Sequence, residues 1–205
     1  MKPKSIILLS GGLDSTVSAT IAQQRTQPLL AITIDYGQRA AKMEIESSRK
    51  ICQLLKIRHK VVSLPFFRDF SNLVLLLGKK ADSRQFNKIE NVWVPNRNAL
   101  FINIAACYAE YHGAHVIATG FNQEEAQEFP DNSERFLQAI NRCLAHSTLK
   151  RVEVKSYVLR KTKKEIYKLG IRYKAPLDHI YSCYLGGRKM CGKCASCIKL
   201  IEARK

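Results

Sequence analysis

The sequence has no apolar stretch long enough to cross a membrane. Its longest purely aliphatic run, Leu73 to Leu77, has five residues, whereas a membrane-spanning helix needs about 20. The apolar stretch near the start, Ile6 to Leu9, is too short for the core of a signal peptide and runs directly into glycines. These absences predict a soluble protein of the cytoplasm.

Acidic residues are scarce relative to basic ones, with 17 Asp and Glu against 34 Lys and Arg, for a net charge of +17. The imbalance is strongest in residues 150–205, which hold 16 basic and 4 acidic residues and therefore 12 of the 17 excess charges. Such a region attracts anions such as nucleotides or RNA, although a solvated basic face explains the same count. The 46% hydrophobic and 25% charged residues exclude a disordered or fibrous chain.

Neither an internal repeat nor a low-complexity linker divides the 205 residues, a length typical of one domain with at most a small appendage. Short apolar runs alternate with segments of helical periodicity, which predicts a parallel sheet covered by helices on both faces. The predicted strands are 6–9, 29–34, 60–64, 116–120 and 152–154, and the predicted helices are 14–24, 39–56, 98–111, 132–145 and 162–169. The segment from Pro65 to Pro95 follows neither pattern, and its length is typical of a lid or binding loop.

The first predicted strand ends in a glycine-rich loop that has neither the G-x-x-x-x-G-K-[ST] nor the G-x-G-x-x-G pattern, which excludes the common NTPase loop. Glycines let the backbone approach an anion, and the start of the following helix favours phosphate. The hydroxyls add donors, and the carboxylate is suited to capping the helix or holding Mg²⁺. The predicted nucleotide site is Leu9, Ser10, Gly11, Gly12, Leu13, Asp14, Ser15 and Thr16.

Polar residues also follow the second predicted strand. Because ligands bind at the carboxyl ends of parallel strands, we expect Asp35, Tyr36 and Gln38 to lie beside the glycine-rich loop. The sequence therefore predicts that they complete the nucleotide site.

Four of the seven cysteines are crowded near the C-terminus: Cys183, Cys191, Cys194 and Cys197. In a reducing compartment this spacing favours a metal over disulfides. Four thiolates suit a structural, tetrahedral Zn²⁺, an iron–sulfur cluster is the competing centre, and four unligated thiols are the plain alternative. The other three lie in apolar helical patterns and are predicted to be buried: Cys52, Cys107 and Cys143.

Several strings together resemble one enzyme family. The loop at 10–16, S-G-G-L-D-S-T, resembles the pyrophosphatase loop of the N-type ATP pyrophosphatases. Within that superfamily, other strings are similar to the 7-cyano-7-deazaguanine synthases of queuosine biosynthesis: Y-G-Q-R at 36–39, V-P-N-R-N at 94–98, G-F-N-Q-E-E at 120–125, F-P-D at 129–131 and the cysteine string at 181–197. The resemblance runs from Ser5 to Leu200, with departures at Glu125, Asn132 and Ser133, where the family commonly has Asp, Cys and Arg.

The resemblance implies an α/β, Rossmann-like fold of the adenine nucleotide alpha hydrolase type. It divides the chain into a PP-loop ATP-binding domain at 1–175 and a zinc-binding segment at 176–205 that packs on the same domain. It also implies a homodimer.

The activity that the resemblance implies is an ATP-dependent ligation. The carboxylate of 7-carboxy-7-deazaguanine attacks the α-phosphate of ATP, pyrophosphate leaves, and ammonia displaces AMP to give an amide. A second ATP activates the amide oxygen, and loss of AMP gives the nitrile. Mg²⁺ would assist, and the residues implied as catalytic are Ser10, Asp14, Ser15 and Lys163.

The substrate residues implied by the resemblance are Arg97, Asn98, Gly120, Asn122, Phe129 and Asp131. Arg97 would hold the substrate carboxylate or a phosphate in a fork, and Asp131 would read the N–H edge of the guanine-like base. The plain alternatives are an ion pair at a helix start for Arg97, a helix cap for Asp131 and a solvated surface position for Lys163.

Two other functions stay open. The altered Asn132–Ser133 region fits a related ligase that joins the deazaguanine acid to a different amine, such as one on a protein. The basic C-terminal quarter fits a zinc-knuckle protein that binds or modifies tRNA, so nucleic acid is a possible but not a required partner. The five histidines match no common zinc-ligand spacing and are expected at the surface or in satisfied core positions.

Overall fold

The computed structural model describes residues 1–70, 73–76 and 82–205. Within these residues the sheet has five strands in the order β3-β2-β1-β4-β5, and every neighbouring pair is parallel. The strands are β1 (Lys4–Leu8), β2 (Gln27–Asp35), β3 (His59–Ser63), β4 (Val116–Thr119) and β5 (Glu153–Ser156). The predicted parallel sheet is therefore confirmed.

Helices fill the connections between the strands, as the alternating pattern predicted. They are α1 (Leu13–Arg25), α2 (Ala41–Leu54), α3 (Ile89–Val92), α4 (Arg97–His112), α5 (Gln123–Glu128), α6 (Glu134–Ser147), α7 (Lys163–Arg172) and α8 (Ala195–Ala203). None of the described helices is both long and apolar enough to span a membrane.

Alternation along the strands creates two cores, one on each face of the sheet. Ile6 and Ile32 point to the face covered by α4 and α6, whereas Ile7 and Ala31 point to the face covered by α1, α2, α7 and α8. Because both faces are covered, these strands are continuously apolar rather than alternating in polarity. The predicted two-sided coverage is confirmed.

The parallel register brings three strand ends together at one edge. Leu8 at the end of β1 pairs with Ile32 of β2, and Ile7 pairs with Ala118 of β4. The loops after β1, β2 and β4 therefore meet at the carboxyl edge, where the switch between strand orders opens a crevice.

The described parts of the unassigned 65–95 segment form two short 3-10 turns, Pro65–Asp69 and Ser83–Asn87, and then α3. Part of its aliphatic run is packed, since Leu75 and Leu76 are buried. Leu77, at the end of that run, lies outside the described residues, as does the beginning of the basic stretch that follows.

The cysteine prediction was wrong at two positions outside the cluster. Cys52 is buried, but Cys107 and Cys143 are exposed. Each exposed cysteine lies next to a buried residue of the same helix, Ala106 or Leu144, and successive helical positions face different directions. The apolar sequence of these helices therefore did not show which of their positions face the sheet and are buried.

Candidate active site

A cavity of about 270 Å³ opens at the carboxyl edge of the sheet. Its walls come from the loop after β1, the ends of β2 and β4, and residues of all the helices except α6. The structure brings fourteen of the predicted site residues to this lining: Leu9, Ser10, Gly12, Leu13, Asp14, Ser15, Tyr36, Gln38, Arg97, Asn98, Gly120, Asn122, Phe129 and Lys163.

The other four predicted site residues lie beside the cavity and hold its loops. The Thr16 hydroxyl donates to the Gly12 carbonyl at 2.7 Å. The Asp35 carboxylate accepts from the Gly37 N–H at 3.0 Å, which closes the turn after β2. Asp131 lies near Arg97 without lining the cavity, and Gly11 acts through its backbone.

Two glycines allow the first loop to take its shape. Gly11 has a φ of +78°, and a Cβ there would lie 2.9 Å from the carbonyl oxygen of Glu44. Its own carbonyl accepts hydrogen bonds from the Tyr181 N–H at 2.8 Å and from the Ser47 hydroxyl at 3.0 Å. Gly120 lies so close to α1 that a Cβ would be 2.6 Å from the backbone nitrogen of Ser15. Side chains at these positions would force the loop out of place.

The N-terminus of α1 faces the cavity with no side-chain cap. The first N–H groups of a helix have no intrahelical partners, and Ser10 and Ser15 place hydroxyls beside them, their Oγ atoms 3.0 Å apart. This arrangement of unpaired donors and helix dipole favours an anion such as a phosphate.

A charged cluster, here called the Lys163 cluster, forms one side of the cavity: Asp14, Glu125, Glu128, Lys163 and Lys199. The Nζ of Lys163 is 2.5 Å from Oδ2 of Asp14 and 2.9 Å from Oε1 of Glu125. Lys199 extends this series of ion pairs: its Nζ is 2.9 Å from the Glu128 carboxylate and 3.9 Å from the Glu125 carboxylate. The plain alternative of a solvated Lys163 is therefore wrong, since its side chain is only 13% exposed.

Protonation follows from these contacts. Burial by itself would lower the pKa of Lys163, but the two carboxylates outweigh it and raise that pKa. Burial opposes ionisation of Glu125, but Lys163 and Lys199 outweigh it and lower the pKa of Glu125. Burial raises the pKa of Asp14, and Lys163 opposes that rise. Lys163 is thus held as an ammonium between carboxylates.

One carboxylate oxygen of the cluster has no protein partner. Oδ1 of Asp14 is buried and accepts no hydrogen bond from the described residues. A buried, unpaired carboxylate oxygen is costly unless a cation or donor meets it. This carboxylate oxygen at the glycine-rich loop is therefore a suitable ligand for the Mg²⁺ that accompanies nucleotide phosphates.

Arg97, at the first position of α4, presents a second cation to the cavity. Its Nη1 donates to the Tyr36 hydroxyl at 3.0 Å, and the guanidinium lies 5.5 Å from the centre of the Tyr36 ring. Burial opposes its charge, but Tyr36 and Asp131 outweigh this and raise the pKa of Arg97. No carboxylate of the described residues lies within ion-pair distance of it, so Arg97 can bind an anion in the cavity.

The four C-terminal cysteines converge as predicted. The Sγ atoms of Cys183, Cys191, Cys194 and Cys197 all lie within 4.8 Å of one another. Four thiolates around one zinc ion would be about 3.8 Å apart, given Zn–S bonds of about 2.3 Å in a tetrahedron. The Sγ of Cys191 also accepts N–H bonds from Lys193 and Cys194, at 3.4 and 3.3 Å. The cluster therefore fits a metal site.

The metal site and the cavity share α8. Cys194 is the cap residue of this helix and Cys197 lies in its first turn, while Ser196 and Lys199 of the same helix line the cavity. Sequence reasoning missed these two residues because Ser196 lies inside the cysteine string and Lys199 just after it, where the cysteines were the only chemical pattern. It also missed several other polar residues of the lining: Glu44, Tyr181, Ser182 and Tyr184. Tyr181, Ser182 and Tyr184 lie inside the cysteine string and Glu44 lies five residues after the Y-G-Q-R string, and this position was the available signal.

Comparison with known proteins agrees with this geometry. A 7-cyano-7-deazaguanine synthase from Carboxydothermus hydrogenoformans is 47% identical, over 98% of each chain. One from Methanosarcina mazei is 38% identical, over 98% of this chain and 94% of that one. Among solved structures, the NMN synthetase from Francisella tularensis has a TM-score of 0.54 at 16% identity, over 93% of this chain and 71% of that chain.

The structural neighbour shares the fold alone, and it supports the predicted Rossmann-like class. Each of the two sequence relatives covers 98% of this chain. Residues 4–203 match the family described as queuosine biosynthesis protein QueC, and the chain belongs to that family.

Proposed function

We propose that this chain makes 7-cyano-7-deazaguanine from 7-carboxy-7-deazaguanine and ammonia, with two ATP molecules cleaved to AMP and pyrophosphate. One cavity with two features suited to anions carries the proposal: the uncapped start of α1 and the guanidinium of Arg97, which has no carboxylate of the described residues at ion-pair distance. These sites match a nucleotide polyphosphate and a carboxylic acid. The names of the relatives support the same product.

In this proposal, the glycine-rich loop after β1 binds ATP and assists the release of pyrophosphate. Backbone N–H groups at the start of α1 and the hydroxyls of Ser10 and Ser15 stabilise the negative charge that builds on the leaving pyrophosphate. Mg²⁺, when bound, neutralises part of that charge, and Oδ1 of Asp14 is the atom that would hold it. Lys163 keeps the Asp14 carboxylate in place through its 2.5 Å ion pair.

In this proposal, Arg97 binds the deazaguanine acid. Its fork of N–H donors holds the substrate carboxylate and aims one oxygen at the α-phosphate. Phe129 and Asn122 line the same space, and the apolar ring excludes water from the activated acid. Ammonia then displaces AMP, and the amide oxygen takes the place of the acid oxygen for the second adenylation.

We further propose that the cysteine cluster binds a structural Zn²⁺, because four cysteine ligands would leave no open position on the ion. The ion would fix the start of α8 and thereby the positions of Ser196 and Lys199. Removal by a chelator should release one zinc per chain and loosen residues 176–205, which we propose as the zinc-binding segment beside the 1–175 ATP-binding domain. Metal analysis and hydrogen exchange of that segment test both points.

A cytoplasmic homodimer that does not need nucleic acid is the proposed working form. Light scattering of the purified protein tests the dimer. Assay of the free base with and without added tRNA tests whether nucleic acid is needed. A tRNA requirement would favour the zinc-knuckle RNA protein over the ligase.

Mass spectrometry of the product, with AMP counted per turnover, tests the function. Two AMP per nitrile support the proposal, whereas an amide or an amine conjugate with one AMP supports the related ligase. Asp14→Asn should abolish AMP formation, since it removes the proposed Mg²⁺ ligand and the partner of Lys163. Asp178→Asn, at an exposed position, is the matched control.

A further inference from the structure

Glu44, in the first turn of α2, presents a carboxylate to the cavity without a counter-charge. Its Oε2 accepts a hydrogen bond from the Gln38 Nε2 at 2.7 Å, and the side chain lines the cavity. No Lys, Arg or His of the described residues lies within ion-pair distance of it. Oε1 of Glu44 is not among the buried side-chain oxygens that lack a partner, so it is open to the cavity. It has acceptor capacity that a bound molecule with N–H donors can use.

Gln38 is fixed in the orientation that holds Glu44. Its Oε1 accepts from the Tyr36 N–H at 3.0 Å, and its Nε2 donates to the Ile34 carbonyl at 3.2 Å as well as to Glu44. Both amide hydrogens are therefore directed to protein acceptors. Gln38 acts as a positioning residue, which differs from the direct nucleotide contact expected from its place in the Y-G-Q-R string.

The Glu44 and Arg97 side chains lie at opposite ends of one chain of contacts. Arg97 donates to the hydroxyl of Tyr36, the backbone of Tyr36 donates to Gln38, and Gln38 donates to Glu44. Among the described residues, the cavity thus presents a cation without a carboxylate at ion-pair distance at the ring end of Tyr36, and a carboxylate without a cation at ion-pair distance at its backbone end. A ligand that spans the two needs an acid group on one side and N–H donors on the other.

We propose that Glu44 is the specificity-determining residue that reads the donor edge of the deazaguanine base, accepting from its ring N–H and its 2-amino group while Arg97 holds its carboxylate. This inference rests on the proposed function. A carboxylate accepts from two adjacent donors, which the guanine-like edge offers. The corresponding edge of adenine offers one amino group beside an acceptor and does not match.

The assignment differs from the expectation for Asp131. Each carboxylate accepts from a side-chain amide, Asp131 from Asn132 at 3.2 Å and Glu44 from Gln38 at 2.7 Å, but only Glu44 lines the cavity. Burial raises the pKa of Glu44, and the Gln38 amide and Arg97 oppose that rise. A donor-rich base would favour its ionised form in the same way.

The test compares Glu44→Gln with Glu46→Gln, an exposed neighbour on α2. Glu44→Gln should weaken binding of 7-carboxy-7-deazaguanine, measured by calorimetry, by about 100-fold or more, because a site built for N–H donors then has a donor of its own facing them. The KM for ATP and the KM for ammonium should stay unchanged. The Glu46→Gln control should bind the acid like the unmodified chain.

An analogue that lacks the 2-amino group identifies the contact. The unmodified chain should discriminate strongly against this analogue, and the Glu44→Gln variant should discriminate much less. Gln38→Ala should also raise the KM for the acid, and its kcat should fall less than that of Glu44→Gln. This is expected for a residue that acts through Glu44.

Three results would overturn the inference while the proposed function stands: equal binding of the acid by Glu44→Gln, a rise confined to the KM for ATP, or a rise confined to the KM for ammonium. Failure of the proposed function looks different, because the unmodified chain would then form no AMP from ATP and the acid.

Discussion

The cavity has two cationic sides that are built in opposite ways. Lys163 lies between two carboxylates, at 2.5 and 2.9 Å, and belongs to a chain of ion pairs that joins α1, α5, α7 and α8. Arg97 has a tyrosine hydroxyl at 3.0 Å and no carboxylate of the described residues within ion-pair distance. A cation that protein carboxylates neutralise stabilises the fold, whereas a cation without a carboxylate at ion-pair distance is available to an anionic ligand. The comparison separates stability from substrate binding.

The largest expected effect is on stability, from Lys163→Met. Removing one partner of a buried ion-pair network leaves carboxylates uncompensated, so the free energy of unfolding should fall by about 3–5 kcal/mol. Urea denaturation measures it. Lys164→Met, at the exposed neighbouring position, is the control. A loss no greater than the control would mean that Lys163 is not a structural cation.

Arg97→Met should show the opposite pattern. The free energy of unfolding should fall by less than in Lys163→Met, because Arg97 loses one hydrogen bond to the Tyr36 hydroxyl and has no carboxylate of the described residues at ion-pair distance. The kcat/KM for the deazaguanine acid should fall about 100-fold, equivalent to about 2.7 kcal/mol. Exposed Arg135→Met is the control. A large loss of stability with unchanged kcat/KM would reverse the comparison.

A pH series sharpens the account of the Lys163 cluster. The pKa of Glu125 in the folded chain is lowered from 4.5, so its stabilising contribution is present above that value and is lost as the pH falls through the lower folded pKa. Glu125→Gln should therefore reduce the free energy of unfolding by about 1–2 kcal/mol at neutral pH. The difference from the unmodified chain should shrink only below pH 4.5. A difference that disappears well above that pH would contradict the ion pair.

The smallest effect is expected at the outer end of the cluster. Lys199 and Glu128 are 2.9 Å apart, with side chains 23% and 38% exposed. A double-mutant cycle of Lys199→Met and Glu128→Gln should give a coupling of about 0.2–1 kcal/mol. A coupling as large as that between Lys163 and Glu125 would show that the whole chain of ion pairs acts as one unit.

Much of the fold was predictable because its signals are local. The apolar runs placed all five strands to within a few residues, and the cysteine spacing alone indicated the metal site. The sequence did not predict α5, because this helix is short and polar and depends on Asn122, whose side chain accepts from the N–H groups of Glu124 and Glu125. Asn before a short polar segment is equally typical of a turn, so the sequence alone does not distinguish the two.

The site was predictable where chemistry and sequence coincide, as in the loop at 10–16. It was not predictable where tertiary contacts assign the role. Nothing in the sequence near Glu44 distinguishes it from Glu46, yet one faces the cavity and the other is exposed. Likewise, the contrast between Lys163 and Arg97 arises from which carboxylates the fold brings to each cation.

The tight approach of Gly120 to Ser15 limits how this cavity can be redesigned. A methyl group at position 120 would meet the backbone of the nucleotide loop at 2.6 Å, where no flexible side chain can yield. Engineered libraries aimed at new acids should therefore vary the neighbouring Phe121, Asn122 and Phe129 and leave position 120 untouched. Directed evolution would then change which acid the cavity binds without displacing the proposed ATP-binding loop.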